Sequence, residues 1–94
     1  MAIYLIVAEY SASRTAGVDI SLKVASKDTI PDEVKGLIDN FMDIVKESGA
    51  PISDHMNIML GLIYSAGFAM EGIEFKEFKE GEEIIGWGLR FHGA

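Results

Sequence analysis

Arg14 is the lone cation of a polar run, Ser11-Ala12-Ser13-Arg14-Thr15-Ala16-Gly17. Its charge, with the neighbouring hydroxyls and amides, is the equipment for holding an anion. If the first and last strands of the chain pair, Tyr10, Trp87, Arg90 and His92 gather beside that run and add stacking and cationic groups. Together with Arg14 they would form a ligand site for an anionic, nucleotide-like small molecule. The competing reading is a hairpin tip that carries an arginine for solubility. His55 and His92 stand far apart in the chain, one at a helix start and one near the end, and an isolated histidine ordinarily packs or faces water. Asp39, Asp43 and Glu47 recur at four-residue steps, which lines them along one helix face. A solvated acidic stripe accounts for them better than a cation site, because the ligands of hard cations converge from several elements. There is no GxSxG, HExxH, Walker A, GxGxxG or calcium loop, and with no cysteine there is no thiol nucleophile and no zinc–thiolate site. The expectation is a protein that is not an enzyme and needs neither metal nor cofactor.

Acidity is the stronger signal. Fifteen Asp and Glu against eight Lys and Arg leave a formal charge of −7, a field that repels phosphate backbones and anionic headgroups. Direct nucleic-acid and membrane binding are therefore not expected. Glu71, Glu74, Glu77, Glu80, Glu82 and Glu83 crowd a short stretch near the C-terminus, and with Asp39, Asp43 and Glu47 they offer an acidic surface complementary to a basic one. Plain solubility would explain the same residues.

The elements that must position these groups follow from periodicity. Ile3 to Ala8 is apolar on both alternating faces, as in a central strand covered on two sides. Glu9 ends the apolar N-terminus too early for a signal-peptide core, and no basic residue precedes it. Val18, Ile20, Leu22 and Val24 alternate with Asp19, Ser21 and Lys23, the pattern of a strand with one wet face. Pro31, Asp32 and Glu33 open a helix whose apolar residues Val34, Leu37, Ile38, Phe41, Met42 and Val45 recur at steps of three and four, and Gly49 and Pro51 stop it. A second helix is expected from Ser53 or Asp54 to about Met70. The tail reads as a hairpin from Ile73 to Phe91 with its turn at Lys79-Glu80-Gly81-Glu82, a bulge near Glu77, and Ile85, Trp87, Leu89 and Phe91 on one face. The glycines Gly86 and Gly88 leave the opposite face of that strand bare. With 49% hydrophobic residues and a mean hydropathy of +0.21 the chain can bury one core. The expected fold is α+β: a single domain over residues 1–94, order ββααββ, with a four-stranded, mainly antiparallel sheet covered by two helices.

The stretch from Met56 to Met70 has only Asn57 and Ser65 as polar side chains, and a helix apolar all round must be buried all round. It is also shorter than the ~20 residues that a membrane span needs. Asn57, Gly61, Ser65 and Ala69 repeat every four residues and make a stripe of small side chains where a second copy can approach, so a homodimer or higher oligomer built on this helix is expected. The absence of cysteine fits a reducing, cytoplasmic setting. In size and acidity the chain is similar to the small antagonist proteins that phages and mobile elements encode against bacterial immune systems, a likeness of composition over the whole chain. The functional expectation is a non-catalytic, homo-oligomeric binding protein that occupies a basic surface of another protein as an inhibitor or regulator. The alternative is a binder or sponge for anionic, nucleotide-like small molecules held at subunit interfaces.

Overall fold

Alternation of side chains across a pleated strand decides how this chain sorts its residues, and the computed structural model, which describes residues 2–13 and 17–93, follows it closely. β1 (Ile3–Ser13) and β2 (Gly17–Ala25) form a hairpin, α1 (Asp32–Ser48) and α2 (Ile52–Ser65) follow, and β3 (Ala69–Glu80) and β4 (Glu83–His92) form a second hairpin. The order is ββααββ, as expected for an α+β fold. One open sheet runs β2-β1-β4-β3, and all three pairings are antiparallel. In register, Tyr4 lies opposite Phe91, Ile6 opposite Leu89 and Ala8 opposite Trp87. These six face the helices and are buried with Val34, Leu37 and Phe41 of α1 and Met59 and Ile63 of α2 in one contiguous core.

α1 starts where the proline and the two acids place it and ends on Gly49, whose left-handed backbone lets its N–H bond back to the carbonyl of Val45. α2 is shorter than expected. It stops at Ser65 because Gly67 adopts φ +84°, and the Gly67 and Phe68 amides turn back to the carbonyls of Tyr64 and Ile63. Phe68 then packs edge-on against Phe91, with ring centroids 5.4 Å apart, and Ala69 already belongs to β3, where it pairs with His92. The apolar run Met56 to Met70 is thus a helix and the start of a strand, and Ala69 is not part of a helical stripe.

Three further expectations change. β1 continues past Ala8 to Ser13, so Ser11, opposite Asp19, is a strand residue rather than part of a loop. Ile85 does not share the buried face of Trp87. A register shift falls between Phe78 and Lys79, one position beyond the expected bulge, and it leaves Ile85 without a partner in β3 and exposed. β1 is covered on one side only: Ile3 is 47% and Leu5 36% exposed on the face away from the helices.

Gly86 is required by this packing, because a Cβ there would lie 2.5 Å from the carbonyl oxygen of Ala8 on the neighbouring strand. Gly86→Ala should cost about 1–3 kcal/mol, read as a lower urea midpoint, since relief requires moving β1 or β4. An unchanged midpoint would show that the two strands separate freely at this point.

Candidate functional site

The most polar part of the interior is a chain of three side chains from three elements. Trp87 of β4, 1% exposed, donates its indole N–H to the Tyr10 hydroxyl at 2.8 Å. That hydroxyl lies 2.6 Å from Nδ1 of His55, and His55 Nε2 lies 3.1 Å from the carbonyl oxygen of Ala50. The carbonyl can only accept, so Nε2 carries the proton, Nδ1 accepts, and the tyrosine proton points at the histidine. Burial raises the Tyr10 pKa above its ordinary value of 10.0, with the Trp87 hydrogen bond pulling the other way and the negative charge of Glu77 adding to the rise. Phe41 closes the cluster edge-on to both Trp87 and His55, with centroids 5.7 and 5.6 Å away. The donors and acceptors are matched within the protein, so the arrangement fastens the start of α2 to the sheet rather than presenting groups to a ligand.

The residues expected to hold a small anion do not converge. Tyr10 and Trp87 meet, but inside the core. Arg90 lies on the opposite face of the sheet, beside Glu74 at 3.5 Å. His92 pairs with Ile3, at the far end of β1 from the hairpin tip. Arg14 lies outside the described residues. Among the described residues no group of three or more His, Asp or Glu is placed to hold a metal ion, and no helix is long and apolar enough to cross a membrane.

No known protein family, curated protein or solved structure matches this chain. What the molecule can do has to be read from its surfaces.

Three surfaces stand out. On α2, Asn57, Gly61 and Ser65 are exposed together with Tyr64, so the helix has a solvent face, while His55, Met59 and Ile63 are buried. The acidic residues divide into two groups. Glu74, Glu77, Glu80, Glu82 and Glu83 belong to the edge strand β3 and its turn into β4, where charges and irregular register keep an open edge from pairing with another chain. Two of them are engaged, Glu74 with Arg90 and Glu77 with Lys79 at 3.4 Å. Asp39, Asp43 and Glu47 are exposed on α1, and among the described residues no ion pair engages them.

The third surface is the face of the sheet away from the helices. Leu5, Val7 and Gly88 floor a depression of about 470 Å³ bounded by Phe78, Lys76 and Arg90. It continues past Gly86 to Ile85 and Glu9 in one direction and past Ile3 to Ala25 in the other. The outer residues of β1 were assigned to a strand covered on both sides. The signal that marks them as surface is Glu9, which continues their alternation on β1, together with the polar outer positions Asp19, Ser21 and Lys23 of the neighbouring β2.

Proposed function

We propose that this protein is a non-catalytic binding protein that works by occupying a basic surface of another protein with the acidic face of α1, as an inhibitor or regulator does. One observation carries the reading: Asp43 and Glu47 stand exposed in the last turns of α1, where the helix dipole is negative. An acid in the last turn, as Glu47 is, costs the helix roughly 0.3–1 kcal/mol, an effect that fades toward Asp43, and the four-residue spacing of Asp39, Asp43 and Glu47 adds like-charge repulsion of a few tenths of a kcal/mol. Folding gains little from them, since their spacings to Lys35 and Lys46 are worth only a few tenths of a kcal/mol each, and solubility would be served as well by acids near the N-terminus of the helix. A positively charged partner accounts for their position.

The test is the triple variant Asp39→Lys, Asp43→Lys, Glu47→Lys. Its thermal stability should stay close to that of the wild type, because Glu47→Lys suits the end of the helix and the lower net charge offsets the repulsion among cations at the same spacing. In pull-downs from its own host the wild type should retain a basic protein at low ionic strength and release it at high ionic strength, and the variant should retain none. Retention of the same partner by wild type and variant, unchanged by salt, would remove the acidic face from the mechanism.

A further inference from the structure

We propose that the uncovered face of the sheet is where a second copy of this chain packs, sheet against sheet, with Val7 of each copy seated over Gly88 of the other. The proposal concerns a different surface from the acidic face of α1 and does not depend on it.

Four observations lead here. β1 is a central strand with apolar residues on both faces, Tyr4, Ile6 and Ala8 inward and Ile3, Leu5 and Val7 outward; the inward set is fully buried, whereas Ile3 and Leu5 are exposed and Val7 is half-buried. A sheet with one wetted face normally alternates apolar and polar residues, as β2 does, so the outer face of β1 has the composition of a buried strand without the burial.

The face also carries little of the chain's charge. By register and lining it holds Glu9, Asp19, Glu74, Glu80 and Glu83 against Lys23, Lys76 and Arg90, with the acids Glu80 and Glu83 at one end. The whole chain is −7, so most of its excess of negative charge lies elsewhere. Two copies repel each other at every approach except one that keeps their acidic surfaces apart. An apolar face with little net charge is the approach at which two copies repel least, whereas a basic partner would be drawn to the more acidic side.

The relief is self-complementary. Along β4 the outer positions include Gly86 and Gly88, and on β1 Val7 stands beside Gly88, with Glu9 beside Gly86 and Leu5 beside Arg90, so at Val7 a ridge runs next to a groove. A two-fold axis lying along the strands between β1 and β4 sets the ridge of each copy over the groove of the other, with Val7 above Gly88. Unlike Gly86, Gly88 is not demanded by the protomer's own fold. A Cβ there would meet only the Ile6 carbonyl oxygen and the Phe78 ring, both at 3.9 Å, which is ordinary contact. Glycine inside a strand weakens it, and the missing side chain has a use if another backbone comes close.

The area suffices. Four strands at about 4.8 Å spacing and about seven residues at about 3.3 Å give roughly 450 Å² per copy in projection. Twice that, before side-chain relief is added, approaches the ~1,000 Å² at which specific interfaces begin. Packed sheets stand about 10 Å apart, a distance these side chains span.

Sedimentation velocity and native mass spectrometry of the full chain test the proposal with three variants. The wild type should sediment at twice its 10.3 kDa mass at micromolar concentration. Gly88→Leu, which fills the groove from an outward position, and Leu5→Lys, which charges the ridge, should each weaken the dimer by about a hundredfold or more. Both should keep the wild-type circular dichroism. Gly61→Leu, on the exposed side of α2, should leave the dimer intact. Raising ionic strength should tighten the dimer about tenfold or more between very low and physiological salt, because screening relieves the repulsion of −7 against −7. A basic partner on α1 would loosen under the same change, so the two readings fail separately. A wild type that remains a single protomer overturns the proposal. So does a dimer that survives both sheet-face substitutions, or one that Gly61→Leu dissolves.

Discussion

Trp87→Ala should remove a large part of the stability of the fold. The side chain is 1% exposed, lies edge-on to Phe41, and supplies the hydrogen that the Tyr10 oxygen accepts. Truncating a buried tryptophan costs about 3–5 kcal/mol in transfer and cavity terms. A domain of 94 residues has only about 5–14 kcal/mol in total, at roughly 0.05–0.15 kcal/mol per residue. The variant should therefore show a sharply lower urea midpoint and a thermal transition well below that of the wild type. Phe41→Ala provides an independent measure, because Trp87 is the only tryptophan and its fluorescence then reports on the cavity beside it. That substitution should cost about 3–5 kcal/mol as well. The double variant should lose less than the sum, since each truncation exposes the remains of the other side chain. A loss below 1 kcal/mol for Trp87→Ala would mean that the helices close over the gap, and that the core is not organised around this ring.

The parts of the molecule that could be read from its residues are those where two signals agree. α1 has a proline and acids at its start, apolar residues at steps of three and four, and a glycine at its end, so its extent followed. The end of α2 did not follow, because Phe68, Ala69 and Met70 are as apolar as the helix before them and Gly67 alone marks the change from one element to the next. The supposed ligand cluster failed on parity and register. Strand pairing did bring Tyr10 to Trp87, but Arg90 differs from Trp87 by an odd number of positions and so lies on the other face, and antiparallel pairing carried His92 away from the hairpin tip. His55 packs, one of the two ordinary outcomes for an isolated histidine, but its partner was not legible, since nothing local in the sequence indicates that a residue at the start of α2 will meet one on β1. The outer face of β1 was read as covered because Ile3, Leu5 and Val7 are as apolar as the inward residues, and parity alone does not show whether a second layer exists. The exposure of Asn57, Gly61, Tyr64 and Ser65 shows that α2 is not buried all round.

Replacing Tyr10 by Phe should cost about 2–3 kcal/mol at neutral pH, from the two hydrogen-bonding groups that lose their partner. The indole N–H of Trp87 loses its acceptor and His55 Nδ1 loses its donor, and the phenyl ring that remains offers neither. The pH dependence separates this from a packing effect. The folded state holds the Tyr10 hydroxyl above the ordinary value of 10.0, chiefly by burial, so folding favours its protonated form. That contribution is complete below pH 10, and it is lost as the pH rises from there through the folded value, because the unfolded chain releases the proton first. The wild type should therefore lose stability above pH 10 more steeply than Tyr10→Phe, and the two urea midpoints should draw together as the pH increases. Parallel alkaline limbs, or equal midpoints at neutral pH, would show that the hydroxyl is not a joint between the sheet and α2. In that case the register of β1 against β4 and the packing of Phe41 on Trp87 would be what keeps the helix in place.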